Sequence, residues 1–460
     1  MYKGKKTTIM GLGLQGSGVA MAEFLAKKGA ELIITDIKTK DKLSSAINKL
    51  EKFKNIKFVL GQHRPEDFSR TNLIIKGPGV DWNSQYLAIA KKHNVPIETE
   101  AGIFIQLVKN PIIGVTGTRG KSTTTHLIYD ILKQSSLKAV IGGNIKEKPL
   151  ISLLGKVKRK DTFMVLELSS FQLEGLKKHK KSPKIAVITN LMKDHLNRYR
   201  DLEHYHKSKE TIVRFQKKDD FAVLNYDDLK VRRLASTVKS KVWFFSQDKL
   251  KRSNTVFLYK KNVYVRYHKK LIKLFNIDNL KLIGNHRLPN VLAAVAVAKI
   301  LKLPNRVIKN AVLNFYGIEH RLEIVREVKG ITFVNDTCAT VPEATMMAID
   351  SFKSVILIAG GADKKLSFAD LAQKIIKRVK KLILLPGKGS DRLIIALKKL
   401  DPDFEYKKVK NINEAVETSR EFFQRGDVVL LSPACSSFNL FNNEFERGDI
   451  FKKAVRDLEF

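Results

Sequence analysis

The stretch PIIGVTGTRGKSTTT, from Pro111 to Thr125, limits the folds open to this chain more than any other. Ile112, Ile113 and Val115 read as a buried strand, Gly114, Gly117 and Gly120 as a glycine-rich turn, and the residues from Ser122 to 134 as a helix. In such a turn, backbone N–H groups converge on phosphate oxygens, Lys121 adds a point charge and the Ser122 hydroxyl can ligate Mg²⁺. The spacing departs from a strict Walker A loop, because Val115 stands where its first glycine belongs. The plainer alternative is a strand that simply turns tightly into a helix.

The same grammar recurs on both sides. Residues 7–36 read as a strand, Gly11-x-Gly13-x-x-Gly16, an amphipathic helix and a second strand ending in Asp36, a Rossmann-like opening. A further strand ends in Gly77-Pro78-Gly79. After the phosphate loop, one strand closes on Gly142-Gly143-Asn144. Another ends with Glu167, followed by Ser169 and Gln172. A third runs into Asp194-His195 and a polar helix carrying Lys207 and Lys209. Residues 219–276 predict an antiparallel excursion or edge, and Gly284-x-His286-x-x-x-Asn290 opens a strongly apolar helix. Beyond Gly317 to Arg321, read as a linker, strand ends carry Asp336 with Thr340, Gly360-Gly361 with Lys364, and Ser432 to Ser437. The fold class is therefore α/β with three domains. They are a Rossmann-like unit at 1–98, a central P-loop unit with a mostly parallel sheet at 99–316, and a second Rossmann-like unit at 317–460.

Composition narrows the setting. A chain of 460 residues exceeds what one core usually supports, and no apolar run is long enough to span a bilayer. Glycines and Glu23 interrupt the apolar stretch near the start, which argues against a signal peptide. Two cysteines, Cys338 and Cys435, fit a reducing cytoplasm and suggest no metal cluster. Lys and Arg number 85 against 46 Asp and Glu, a net charge of +39. The charge is spread along the chain without a nucleic-acid-binding module, so a general basic bias explains it better than specific nucleic-acid binding. Where the excess has a function, it concentrates anionic nucleotide substrates or draws the chain to an anionic membrane.

A phosphate loop, an acid at one neighbouring strand end and a histidine at another describe an ATP site with Mg²⁺. Taken singly, Glu167 is an ordinary strand-end acid, His195 a structural histidine and Lys209 a solvated lysine. The order GLGLQGSG, GVTGTRGKSTTT, GGNI, LELSSFQLE, NLMKDHLNRY, Tyr205 to Lys209, GNHRLPN, EHRLE, NDTCAT, GGADKK, LSPACSSF resembles the Mur ligases, in their D-glutamate-adding branch. It runs from residue 9 to about 448.

That resemblance implies a monomeric enzyme of peptidoglycan precursor synthesis. ATP, with two Mg²⁺, phosphorylates the alanyl carboxylate of UDP-N-acetylmuramoyl-L-alanine, and D-glutamate attacks the acyl phosphate. It implies uridine contacts from Leu14, Gln15 and Asp36 and diphosphate-sugar contacts from Gly79 and Asn144, with Ser169 and Gln172 in the same substrate site. Gly117, Thr118, Gly120, Lys121, Ser122 and Thr123 would hold ATP phosphates, and Asn290, Arg321 and Asp336 would contact adenosine and phosphate. Ser122, Glu167, His195 and a carbamylated Lys209 would hold metal, with Lys121, Glu167, His195 and Lys209 catalytic. Thr340, Lys364 and Ser437 would grip the two carboxylates of D-glutamate. The chain departs from the family pattern at Arg119, Arg287, Cys338 and Gly77, and its aromatic near Phe445 is shifted by one position. Rival readings are a dinucleotide oxidoreductase, a nucleic-acid-binding ATPase, and a Mur-type ligase for another amino acid.

Overall fold

A computed structural model describes residues 2–13, 16–145, 148–157, 159–193, 199–437 and 440–460. They form two compact units, Met1–Asn279 with Pro289–Val312, and Leu280–Leu288 with Leu313–Phe460.

The first unit holds two sheets. In one, β1 (Lys6–Met10), β2 (Glu31–Asp36), β3 (Ile56–Leu60), β4 (Leu73–Lys76) and β5 (Ile97–Glu98) run parallel in the order β3-β2-β1-β4-β5. Strand order reverses between β1 and β4, so the crevice for a ligand opens at their carboxyl ends. The amide of Gly77 donates to the Met10 carbonyl there at 2.9 Å.

The other sheet comprises β6 (Ile112–Thr116), β7 (Ala139–Gly143), β8 (Phe163–Glu167), β9 (Ile185–Ile188), β10 (Phe221–Asn225) and β11 (Lys241–Ser246). It is completed by β12 (Thr255–Tyr259), β13 (Asn262–Tyr267) and β14 (Lys270–Asn276), in the order β14-β13-β12-β11-β10-β9-β6-β8-β7. Every residue of β6 is buried, as befits a strand covered on both faces. Its neighbours β8 and β9 bring their carboxyl ends to the phosphate turn. The antiparallel edge expected over 219–276 is shorter than the sequence suggested. β10, β11 and β12 extend the parallel sheet, and only β12-β13-β14 run antiparallel. Strands β10 and β11 are apolar enough to be covered on both faces, which short polar turns in the sequence disguised. The helix Leu288–Ile300 is apolar almost all round, and Val291 to Ala298 are at most 2% exposed, so it is a core helix rather than an amphipathic one.

In the second unit, β15 (Glu323–Val328) pairs antiparallel with β16 (Ile331–Asn335). The strands β17 (Val355–Gly360), β18 (Val379–Leu385), β19 (Lys407–Lys408) and β20 (Val428–Leu431) complete a sheet ordered β15-β16-β20-β17-β18-β19. From β16 onward all pairings are parallel. Helices such as Ala369–Arg378 cover it, burying Leu371, Ala372 and Ile375 and placing Lys377 and Arg378 at the negative end of the helix dipole.

Candidate active site

The phosphate loop takes its shape from the strand beside it. Past the end of β9, the Asn190 carbonyl accepts from the Thr118 amide at 3.0 Å and the Asn190 side chain from the Arg119 amide at 2.9 Å. The Thr189 hydroxyl donates to the Arg119 carbonyl at 2.6 Å. Gly117 has φ 149°, and a Cβ there would lie 1.9 Å from the Thr189 hydroxyl. Gly120, at φ 80°, caps the helix Lys121–Lys133, and a Cβ there would lie 2.1 Å from Oδ1 of Asn290. Glycine is required at both positions, and Asn290 is thereby placed against the loop. Thr123 is buried in the first turn of the helix, beside a partly exposed Ser122.

Two ammonium groups share one carbonyl. Lys121 Nζ donates to the Gly117 carbonyl at 2.9 Å and to that of Thr118 at 3.0 Å. Lys209 Nζ donates to the Gly117 carbonyl at 2.9 Å and lies 4.8 Å from the centre of the Tyr205 ring. Lys209 is only 2% exposed, whereas Lys207, two residues away, is exposed and paired with Glu203. A helix that looks polar in sequence thus turns one lysine into the loop and the other to solvent. Two cations at the start of a helix make an anion site.

At the end of β8, beside β6, Glu167 is 3% exposed. Its Oε1 accepts from the Asn144 side-chain Nδ2 at 2.8 Å, while Oε2 is buried without a hydrogen-bond partner among the described residues. An orphaned buried carboxylate oxygen costs about 1–3 kcal/mol, a cost that a hard cation would offset. Glu167 and Ser122 therefore suit Mg²⁺. His195 lies outside the described residues.

At the β1/β4 crevice, Asp36 accepts from the Gly13 amide at 3.3 Å and the Lys38 amide at 2.9 Å, which ties the glycine turn to the end of β2. Leu14 and Gln15 lie outside the described residues. A Cβ on Gly77 would lie 2.8 Å from the Gly11 carbonyl oxygen, so this turn has no room for a serine without moving. Gly79, two residues on, is exposed. Ser169 and Gln172 satisfy one another in a capping box on the helix Ser170–Lys178.

In the second unit, Asp336 at the end of β16 accepts from the Ser432 hydroxyl at 2.9 Å and the Leu322 amide at 3.1 Å. Burial raises its carboxyl to about 6 despite the opposing charge of Arg287. Arg287 is itself buried. Its Nη2 donates to the Arg321 carbonyl at 2.8 Å, and its Nη1 has no hydrogen-bond partner among the described residues. Lys364 Nζ donates to the Thr340 hydroxyl at 2.8 Å. The Ser437 hydroxyl, 1% exposed, has no hydrogen-bond partner among the described residues. Cys338 is a neutral thiol, pushed up to about 11 by burial, and Phe445 stands edge-on to His320 with ring centres 5.5 Å apart.

Sequence reasoning gave Glu174 and Trp82 no role, yet they bridge the two sheets of the first unit. Trp82, just past the Gly77-Pro78-Gly79 turn, donates to Glu174 Oε2 at 2.8 Å, and Tyr199 donates to Oε1 at 2.8 Å. Tyr199 packs against Tyr205, with ring centres 5.3 Å apart, and so adjoins the ring beneath Lys209. The available signal was Glu174's place one turn after Ser170 on the motif helix.

The Mur ligase middle domain matches residues 115–298, the Mur ligase glutamate ligase domain residues 320–435, and the Mur ligase MurD-like N-terminal domain residues 5–99. The chain is 41% identical over 461 residues to the UDP-N-acetylmuramoylalanine–D-glutamate ligase of Roseiflexus sp. (strain RS-1), covering 98% of both chains. It is 38% identical to that of Clostridioides difficile (strain 630), covering 99% of both. Among solved structures it is similar to UDP-N-acetylmuramate-alanine ligase MurC from Thermotoga maritima, with a TM-score of 0.62 and 20% identity over 98% of this chain and 99% of that one. It is also similar to the MurF ligase of the same organism in complex with ADP, with a TM-score of 0.59 and 18% identity over 99% and 96%. At those identities the structural likeness is one of fold.

Proposed function

The chain belongs to the Mur ligase family, and from that premise we propose that it joins D-glutamate to UDP-N-acetylmuramoyl-L-alanine with ATP. The observation that carries the ATP half is the glycine turn with the Lys121 ammonium on its Gly117 and Thr118 carbonyls, beside a buried Glu167 oxygen that has no hydrogen-bond partner among the described residues at the adjacent strand end. Such a site suits a polyphosphate with a hard cation.

The chemistry follows from what a carboxylate lacks. An oxygen of the alanyl carboxylate attacks the γ-phosphorus and ADP leaves. The amine of D-glutamate then attacks the carbonyl carbon, a C–N bond replaces the C–O bond to phosphate, and the amine gives up a proton. Lys121 holds the phosphates during transfer, and the loop amides from Gly117 to Thr123 orient them. Ser122, Glu167, His195 and Lys209 as its carbamate would hold Mg²⁺, which when bound would supply positive charge against the crowding of negative charge. Leu14, Gln15, Asp36, Gly79, Asn144, Ser169 and Gln172 bind the nucleotide substrate. Asn290, Arg321 and Asp336 bind the adenosine and phosphates of ATP, and Thr340, Lys364 and Ser437 bind D-glutamate. Residues 1–98, 99–316 and 317–460 divide these tasks.

Lys121→Ala tests the proposal. It should abolish ADP release and ligation while leaving UDP-N-acetylmuramoyl-L-alanine binding within about threefold, because Lys121 is not among the residues assigned to that ligand. Near-normal turnover by this variant would overturn the proposal.

A further inference from the structure

Arg447 is a fully buried cation with no part in holding ATP or the uridine nucleotide. It lies in the first turn of the helix Glu444–Asp457 and is 0% exposed. Its Nε donates to the Thr337 hydroxyl at 3.0 Å, Nη2 to the Thr337 carbonyl at 2.9 Å and Nη1 to the Cys435 carbonyl at 3.3 Å. All three acceptors are neutral, and no carboxylate oxygen lies within 4.0 Å of it among the described residues. Cys435 and Cys338 are neutral thiols near pH 7, since burial pushes them up to about 12 and about 11. Glu444 is the acid whose charge reaches it, from a half-buried side chain. A cation in the first turn also faces the positive end of its helix dipole. A buried charge left this poorly compensated is costly, and an arriving anion would lower that cost.

Its position says which anion. Thr337 follows β16, Cys435 follows β20, and a Cβ on Gly361, just past β17, would lie 3.5 Å from Arg447 Nη1. Strands β16, β20 and β17 are neighbours in the sheet, and their carboxyl-end turns carry Thr340, Ser437 and Lys364. One guanidinium thus lies beneath all three turns. The Ser437 hydroxyl two residues beyond Cys435 is buried and has no hydrogen-bond partner among the described residues.

We infer that Arg447 is a positioning residue for the amino-acid substrate, supplying beneath the three turns the second positive charge that a dicarboxylate requires. This rests on the reading that Thr340, Lys364 and Ser437 hold the amino acid. Lys364 matches one carboxylate, and the field of Arg447, acting through the Thr337 and Cys435 turns, favours the other. It touches no reacting atom, so its effect belongs in substrate affinity.

The test compares Arg447→Gln and Arg447→Lys in the full-length chain, reading KM for D-glutamate, ATP and the uridine nucleotide together with kcat. The Gln variant should raise KM for D-glutamate on the order of 10- to 100-fold, leaving the other two KM values within about twofold. The Lys variant, which keeps the charge but not the three hydrogen bonds, should stay within about threefold of the unmodified chain for D-glutamate even as its melting temperature falls. If the Gln variant does not fold, the Lys variant alone decides, and a rise of about tenfold or more in its KM for D-glutamate would overturn the inference. So would a uniform rise in all three KM values, the mark of a mere tether. An unmodified chain that ligates no D-glutamate overturns the assignment of the site itself and this inference with it.

Discussion

The indole nitrogen of Trp82 donates to Glu174 Oε2 at 2.8 Å, and the other oxygen of the same carboxylate accepts from Tyr199 at 2.8 Å. One side chain thus ties the turn after β4 to the segment that leads into the Lys209 helix. Burial pushes the Tyr199 phenol well above its usual range, so it remains a donor at any working pH.

Glu174→Gln keeps the shape but turns one acceptor oxygen into a donor facing a donor. It should cost about 1–3 kcal/mol in kcat/KM for the nucleotide substrate. Trp82→Phe should raise KM for that substrate with kcat nearly unchanged. Steady-state kinetics on the two variants checks this, and equal loss of KM for ATP would contradict it.

Lys209 and Lys207 provide a matched pair, one buried on the phosphate loop and one exposed beside Glu203. If Lys209 works as a carbamate, Lys209→Ala should lose turnover by at least about 100-fold, and added acetate should restore part of it by supplying carboxylate oxygens. Lys207→Ala should lose little and gain nothing from acetate. Mass spectrometry of the intact chain in bicarbonate, and rescue kinetics, read the two halves of this prediction.

Glu167→Gln should raise the Mg²⁺ concentration needed for half-maximal activity by about tenfold or more, because an amide is a poor ligand for a hard cation. The same variant should be slightly more stable without metal, since it removes a buried and half-satisfied charge. Thermal melting in a chelator, paired with a Mg²⁺ titration of activity, separates the two effects.

Asp336 supplies a pH signature. Burial raises its folded value to about 6 from the ordinary 3.8, so its favourable contribution is fully present below about pH 4 and is lost as pH rises through 6. Asp336→Asn lacks that loss. The variant should therefore gain stability relative to the unmodified chain between pH 4 and 7, by at most about 3 kcal/mol. Denaturant unfolding across that range measures it, and a flat difference would contradict the assignment.

Much of this architecture is legible in the sequence because its signals are local. Gly117 and Gly120 announce a strand–turn–helix, and Asp36, Glu167 and Asp336 each end an apolar run. The unread features are set by partners far away in the chain. Lys209 looks solvated until its helix is docked on Gly117, 92 residues earlier, and Glu174 meets Trp82 at the same separation. Arg447 meets Thr337 across 110 residues. The parallel pairing of β10, β11 and β12 likewise depends on crossovers that periodicity does not reveal.

Carboxylate–amine ligation is measured directly by product formation from ATP, Mg²⁺, UDP-N-acetylmuramoyl-L-alanine and a panel of D- and L-amino acids. One ADP and one phosphate are expected per amide bond, with D-glutamate preferred over every other member of the panel. ATP hydrolysis without a new amide, or equal use of D-glutamate and an L-amino acid, would contradict it.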